Sequence, residues 1–151
     1  MSSGAEILDR NRVLLTHFDS YSAALLFARW GKTVLAPAAL PEGATPMEPP
    51  AVVEPAHEPE AVRAAIAQKL NLSVAELNID AQFNQWFQAE GGPVRVHLLR
   101  FNTFEAPKKA IAETEGVFKP ISEMRGGAKE ELSLAREVFN LTLGAPGGRA
   151  C

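Results

Sequence analysis

Residues 41–58, PEGATPMEPPAVVEPAHE, hold five prolines in eighteen positions. Proline fixes φ, lacks an amide hydrogen and pushes the residue before it into extended backbone. Neither a helix nor a central strand can therefore run through this stretch. It separates an N-terminal run, which must find its own strand partners, from a C-terminal run that opens with a helix. The break reads as a surface loop with polyproline character, either a cover over a site or an insertion, and insertions are the commoner case.

The helix after the break is the best-signalled element. Pro59 suits a first helical turn, and Glu58 and Glu60 put negative charge at the positive end of the dipole. Val62, Ile66 and Leu70 then share one face. Asn71 suits a left-handed cap, with Leu72 folding back as its hydrophobic clasp. Residues 73–77 read as a short helical turn or linker. Residues 79–88 and 94–101 flank Glu90-Gly91-Gly92-Pro93, which predicts a hairpin. In its second strand Val94, Val96 and Leu98 face one way, while Arg95, His97 and Leu99 face the other.

Elsewhere the signals are shorter. Residues 1–5 read as a frayed terminus, and residues 12–18 as a strand that Asp19 or Ser20 ends. Residues 21–30 suit either a helix, capped by Ser20 and closed by Gly31, or a buried strand, because short apolar runs do not separate the two by period. The reading adopted is helical at the start and extended by Phe27. Residues 32–36 predict a strand that Pro37 stops. A loop with a short helix after Pro107 follows over 104–115, and then a short strand over 116–121 that Pro120 places near an edge or end. Arg125-Gly126-Gly127 interrupts the turn begun by Ser122-Glu123-Met124. Residues 128–143 are the second clear helix, with Leu132, Ala135, Val138 or Phe139, and Leu143 as its apolar stripe and Gly144 as its cap. The sum is one α+β domain over 1–144, a mixed sheet flanked by helices, with a flexible tail over 145–151.

At 151 residues the chain can bury a full core. A formal charge of -3 argues against binding nucleic acid through phosphate neutralisation. Its one cysteine, Cys151, allows no intrachain disulfide and fits a reducing, cytoplasmic setting. Asp9, Arg10, Arg12 and Asp19 interrupt any signal-peptide core, and no apolar run reaches the roughly 18–20 residues of a membrane span. A soluble cytoplasmic protein that engages neither nucleic acid nor membrane is expected.

Few side chains combine into chemistry. Glu54, His57, Glu58 and Glu60 form the only His/carboxylate cluster, a metal set or, more commonly, a solvated helix cap. Arg95 and His97 share a strand face and suit a phosphate, although such a face is more often solvated. Trp86, Phe83 and Phe87 could stack a flat ligand or anchor the core, and Trp86 with Gln82 and Gln88 is the pocket candidate. His17, Asp19 and Ser20 are sequence neighbours without a nucleophile-elbow context. Arg125-Gly126-Gly127 could offer amides to an anion, or be a plain turn.

Two passages carry a family likeness. The run Leu35-Ala-Pro-Ala-Ala-Leu-Pro-Glu-Gly-Ala-Thr-Pro46 and the helix Ala61-Val-Arg-Ala-Ala-Ile-Ala-Gln-Lys-Leu-Asn-Leu72 resemble the signature loop and helix of the Nudix hydrolase superfamily. GVFKPISEM and the terminal helix resemble the last strand and helix of such proteins. The family's helix reads Arg-Glu-apolar-any-Glu-Glu-any-Gly-apolar, and its glutamates hold divalent cations that polarise a diphosphate. Here Ala64 and Ala65 stand at the first two places, Gln68 and Lys69 at the paired glutamates, and Asn71 at the glycine. Ile66 and Leu72 keep the apolar places. Upstream, Ala38 and Ala39 replace the expected glycines, and Ala44 replaces the glutamate after Gly43.

The resemblance implies a Nudix-like α/β/α sandwich without the usual catalytic residues or metal, since a lysine in the cluster would repel magnesium. It would serve as a ligand-binding or protein-interaction domain. The pocket is expected between the helix face at residues 63–69 and Trp86, Arg95 and His97. Arg63, Trp86, Arg95 and His97 are then the candidate contacts for a nucleotide-like small molecule. A divergent hydrolase of nucleoside diphosphate derivatives is the alternative, with magnesium or manganese on Glu54, Glu58 and Glu60. A third reading is a structural subunit that meets a protein partner or a second copy through the proline loop and terminal helix.

Overall fold

The apolar run N-R-V-L-L-T-H-F-D becomes β1 (Asn11–Asp19) in a computed structural model that describes residues 4–19, 21–123 and 128–144. Its first seven residues are all buried, as befits a strand covered on both faces. It lies at the centre of an eight-stranded mixed sheet. On one side β7 (Gly92–Phe101) runs parallel to it, in register from Asn11↔Arg95 to Thr16↔Arg100. On the other side β2 (Ala24–Arg29) pairs antiparallel with its last residues, and β3 (Leu35–Ala36) with Val13 and Leu14. A parallel pair needs a long crossover, and the segment between β1 and β7 contains the proline-rich stretch and α2 (Pro59–Leu70).

The sheet continues outward from β7 through β6 (Gln85–Ala89) to β4 (Thr45–Met47), and from β2 to β8 (Val117–Pro120). β5 (Leu77–Ile79) pairs with the far half of β7. Alternating side chains of β1 divide the core in two. Val13 and Leu15 pack with Val62 and Ile66 of α2, Leu8 of α1 (Gly4–Asp9) and Ile111 of α3 (Lys108–Ala112). Leu14 packs on the other face with Phe27, Val96 and Leu98 against Leu134, Ala135 and Val138 of α4 (Lys129–Phe139). The result is an α+β fold with helices on both faces of one sheet. No helix of the described residues is long and apolar enough to cross a membrane.

Several elements differ from the sequence reading. Residues 21–23 are a turn, not a helix: the Tyr21 amide donates to Asp19 Oδ1 at 2.9 Å, and Ala23 takes φ 55. The chain then pairs at once with both β1 and β8, which a helix could not do. A helix over residues 4–9, where the sequence predicts nothing beyond a frayed terminus at 1–5, begins inside that terminus at residue 4. The run 79–88 is divided between β5 and β6, because Asp80 closes a turn by accepting from the Gln82 amide at 3.0 Å. The proline-rich stretch contributes β4, at the sheet edge where Pro46 costs no ladder bond to a further strand. Arg125-Gly126-Gly127, Ser20 and the tail lie outside the described residues.

The end of α2 is as the sequence predicts. Asn71 is left-handed, with φ 58 and ψ 47, and the Leu72 amide donates back to Ala67 O at 2.8 Å. On α4 Ala135 and Val138 are buried as the stripe predicts, but the buried face also takes in Glu131 and Leu134, while Leu132 is only half-buried and Phe139 is exposed. The Glu131 carboxylate accepts from Thr33 Oγ1 at 2.6 Å and from the Val34 amide at 2.9 Å, which fastens α4 to the approach to β3. Glu131→Ala leaves both donors unpaired, and a cost of about 1–3 kcal/mol is expected. Urea unfolding of the variant checks this, with an unchanged midpoint refuting the fastening.

Candidate functional site

The parallel register sets Asn11 beside Arg95 and Val13 beside His97, so Asn11, Arg95 and His97 share one sheet face. Trp86 of β6 lies directly opposite Arg95 on that face. A short helical turn, Pro55–His57, lays His57 over the group just before α2 begins. Asn11, His57, Trp86 and His97 are all buried.

Asn11 organises the cluster. Its Nδ2 donates to Ile7 O and to Ala56 O, each at 2.8 Å, which leaves Oδ1 as the acceptor. His57 Nδ1 donates to that oxygen at 3.2 Å and His97 Nε2 at 2.8 Å. The bonds thus fix which nitrogen of each ring carries its hydrogen. Arg95 Nη1 donates to His57 O at 3.0 Å, and its guanidinium lies 5.3 Å from the centroid of the Trp86 ring system. The His57 and Trp86 rings meet edge to face at 4.9 Å. Arg95 Nε is buried without a hydrogen-bond partner among the described residues.

Electrostatics keep both imidazoles neutral. Burial, reinforced by Arg95 and His57, pulls His97 down to about 3. Burial also lowers His57, with Glu54 opposing and Arg10 and Arg95 adding to the shift. Arg95 is itself lowered by burial, against the pull of Glu58. The group is a polar latch that holds residues 54–58 to the sheet.

Of the four residues expected to bind a ligand, Trp86, Arg95 and His97 are brought together, inside the latch. Arg63 is not among them: its Nη1 donates to Leu77 O at 3.0 Å and its Nη2 pairs with Glu60 at 2.6 Å. Glu54, Glu58 and Glu60 are exposed, and the described residues contain no group of three side chains suited to hold a metal. His57 is buried, not part of a solvated cap, and His97 faces covered space, not water. Phe83 and Phe87 pack in the core under α4, on the opposite face from Trp86. His17 Nε2 donates to Thr103 O at 2.8 Å, and its Nδ1 is buried without a hydrogen-bond partner among the described residues, to which Ser20 does not belong.

An open cleft of about 430 Å³ lies elsewhere, lined by Trp30, Pro37, Lys69, Leu70, Thr114 and Glu115. Trp30 is fixed there. Its Nε1 donates to Thr114 Oγ1 at 2.9 Å, and its backbone exchanges both bonds with Thr33, at 2.8 and 3.1 Å. Gly116 permits the arrangement, since a Cβ at that position would meet Trp30 Nε1 at 2.6 Å. Two other clefts are richer in carboxylates. One, of about 410 Å³ at the hairpin turn, has Arg10 against Asp9, Glu42 and Glu90. The other, of about 430 Å³ beside α4, has Glu42, Glu130 and Glu131. Sequence reasoning passed over Trp30 and Asn11. The available signals were a tryptophan beside Gly31 and an asparagine opening an apolar strand. No protein-family model matches the chain, and no curated protein matches it.

The latch makes stability depend on pH in a definite direction. Well above pH 6.5, the ordinary histidine value, both histidines are neutral, folded or unfolded. Below it the unfolded chain takes up protons that native His97 refuses until about pH 3, so stability falls as pH drops through that window. The slope contributed is at most about 1.4 kcal/mol per pH unit for each histidine. Urea unfolding from pH 7 to pH 4 should show His97→Gln with the shallower decline. An identical slope would sink this assignment.

Proposed function

We propose that the chain is a Nudix-like domain that binds, without hydrolysing, a nucleotide-like anion in the cleft between Trp30 and Lys69. The observation that carries this reading is the fixed, half-buried indole facing a cleft with a lysine at its rim. The cleft volume is within the roughly 300–1,000 Å³ range of small-molecule sites. Trp30 offers a surface for a flat ring, and Lys69 offers a charge to phosphate. Lys69 stands where the resembling family places one of its paired metal-binding glutamates. A cation of the protein there can take a phosphate that a bound metal would otherwise bridge. α2 keeps a single carboxylate, Glu60, and Arg63 engages it.

The hydrolase alternative would have to work elsewhere. Its candidate ligands Glu54, Glu58 and Glu60 stand before or within the first turn of α2, and Lys69 in its last. The helix is twelve residues long, so the two sites would be roughly 15 Å apart.

A thermal-shift screen with nucleotides, nucleotide sugars and dinucleotides, each with and without magnesium, tests the proposal. Binding should stabilise the fold without metal. Lys69→Glu changes an exposed residue and should weaken binding about tenfold or more, which corresponds to about 1.4 kcal/mol. Trp30→Leu should weaken it as well. A shift that requires magnesium would restore the hydrolase reading, and a flat screen would remove the small-molecule reading altogether.

A further inference from the structure

Lys69 and Glu115 are the charged residues that line the Trp30 cleft, and both are exposed. Neither side chain makes an ion pair or a hydrogen bond among the described residues, with the other or with any neighbour. The remaining polar groups at the indole are engaged. Thr114 Oγ1 accepts from Trp30 Nε1 at 2.9 Å and donates to Ile111 O at 2.6 Å, and both backbone groups of Trp30 bond Thr33. Gly31, Ala36, Pro37 and Leu70 add no polar side chain.

Glu115 holds its place at a conformational cost. It is left-handed, with φ 72. The chain leaves α3 there in a helix-ending turn, in which the Glu115 amide donates to Ala112 O at 2.9 Å and the Gly116 amide to Ile111 O at 3.0 Å. The left-handed position of such a turn ordinarily takes glycine or asparagine, and α2 has Asn71 there. A side chain with a β-carbon is disfavoured in that backbone, and glycine would relieve it. The adjacent glycine, Gly116, answers a different need, the close approach of Trp30. No bond from the Glu115 carboxylate to the fold offsets the cost, and strain of this kind gathers where a side chain serves a ligand.

Position limits what that ligand can present. Thr114 bonds the Nε1 edge of the indole, and Gly116 comes so near the same edge that a Cβ there would meet Nε1 at 2.6 Å. Glu115, between them in the chain, stands beside any flat ring laid on Trp30. Its carboxylate repels anions and only accepts hydrogen bonds, so it must face donors. Of the common bases, guanine alone carries two donors side by side, N1–H and the 2-amino group, which match two carboxylate oxygens as a guanidinium fork does. Adenine and cytosine set an acceptor nitrogen beside their amino group. Uracil sets N3–H between two carbonyls.

We propose that Glu115 determines the base specificity of the cleft and that the ligand is a guanine nucleotide. The base stacks on Trp30 and donates from N1–H and the 2-amino group to Glu115, while its phosphate meets Lys69. The inference rests on the nucleotide reading of the cleft and adds the base to it. Opposite charges then serve opposite ends of one ligand, and their staying unpaired keeps the cleft open between them.

Calorimetric titration of the full chain with guanosine, inosine, adenosine, cytidine and uridine monophosphates, without magnesium, tests this. The guanosine compound should bind about tenfold or more tighter than each of the others, as a bidentate pair discriminates between bases. The inosine compound is the sharpest comparison, since it keeps N1–H and lacks only the 2-amino group. Glu115→Gly should abolish the preference while raising the midpoint of thermal unfolding, because glycine suits the left-handed turn. Equal binding of all the compounds, or a preference that survives Glu115→Gly, would overturn the inference and leave the cleft reading standing. So would a lowered unfolding midpoint in that variant, which would show the side chain serving the fold. Binding of none of them would overturn both.

Discussion

The carboxamide of Asn11 joins segments that sequence separates widely. It donates to α1 at Ile7 and to the turn before α2 at Ala56, and it accepts from that turn at His57 and from β7 at His97. All of this is in an interior where an unpaired polar group costs more than a formed bond gains. The groups therefore hold together as a set, because losing one partner strands the others without water to replace it. Arg95 extends the same network to the backbone of His57 and the face of Trp86. The set fixes where the proline-rich stretch ends and where α2 starts.

The position of α2 is thereby set along its whole length. The helix is held at its first turn by the latch, along its length by Val62 and Ile66 in the core, and at its end by the Asn71 cap. Lys69 consequently stands at a set place beside Trp30, which Thr114, Thr33 and the bare Cα of Gly116 hold from the opposite side. The cleft proposed as the ligand site therefore depends on the rigidity of the helix start.

Periodicity made much of this legible. The strand at 12–18, α2 with its cap, the second strand of the hairpin and the short strand at 116–121 all follow from apolar spacing and proline or glycine punctuation. Residues 21–30 did not yield to that method, since their apolar run satisfies either period and only pairing with β1 and β8 decides it. The latch was half legible. Arg95, His97 and Trp86 were grouped by strand position, but polar residues on an alternating strand ordinarily face water. The cover provided by α1 and the Pro55–His57 turn is a tertiary fact that no local pattern announces. Arg63 misled for a similar reason, because a helix-surface arginine gives no sign that a carbonyl six residues beyond the cap, Leu77 O, will take it.

The relative strengths of charge and stacking shape what the proposed cleft would select. Lys69 is exposed at the last turn of α2, where the helix dipole already draws on its positive charge. A phosphate about 4 Å from such an ammonium in water gains only about 1 kcal/mol, and salt reduces it further. Glu115 at the same rim subtracts from that gain. Stacking of a base on an aromatic side chain contributes about 1–3 kcal/mol and is little affected by salt. Trp30 is also held in place before the ligand arrives, so little entropy is lost in ordering it. The ring thus outweighs the anion. A domain built this way discriminates among ligands by the base they carry more than by the number of their phosphates, the reverse of a site organised around divalent metal.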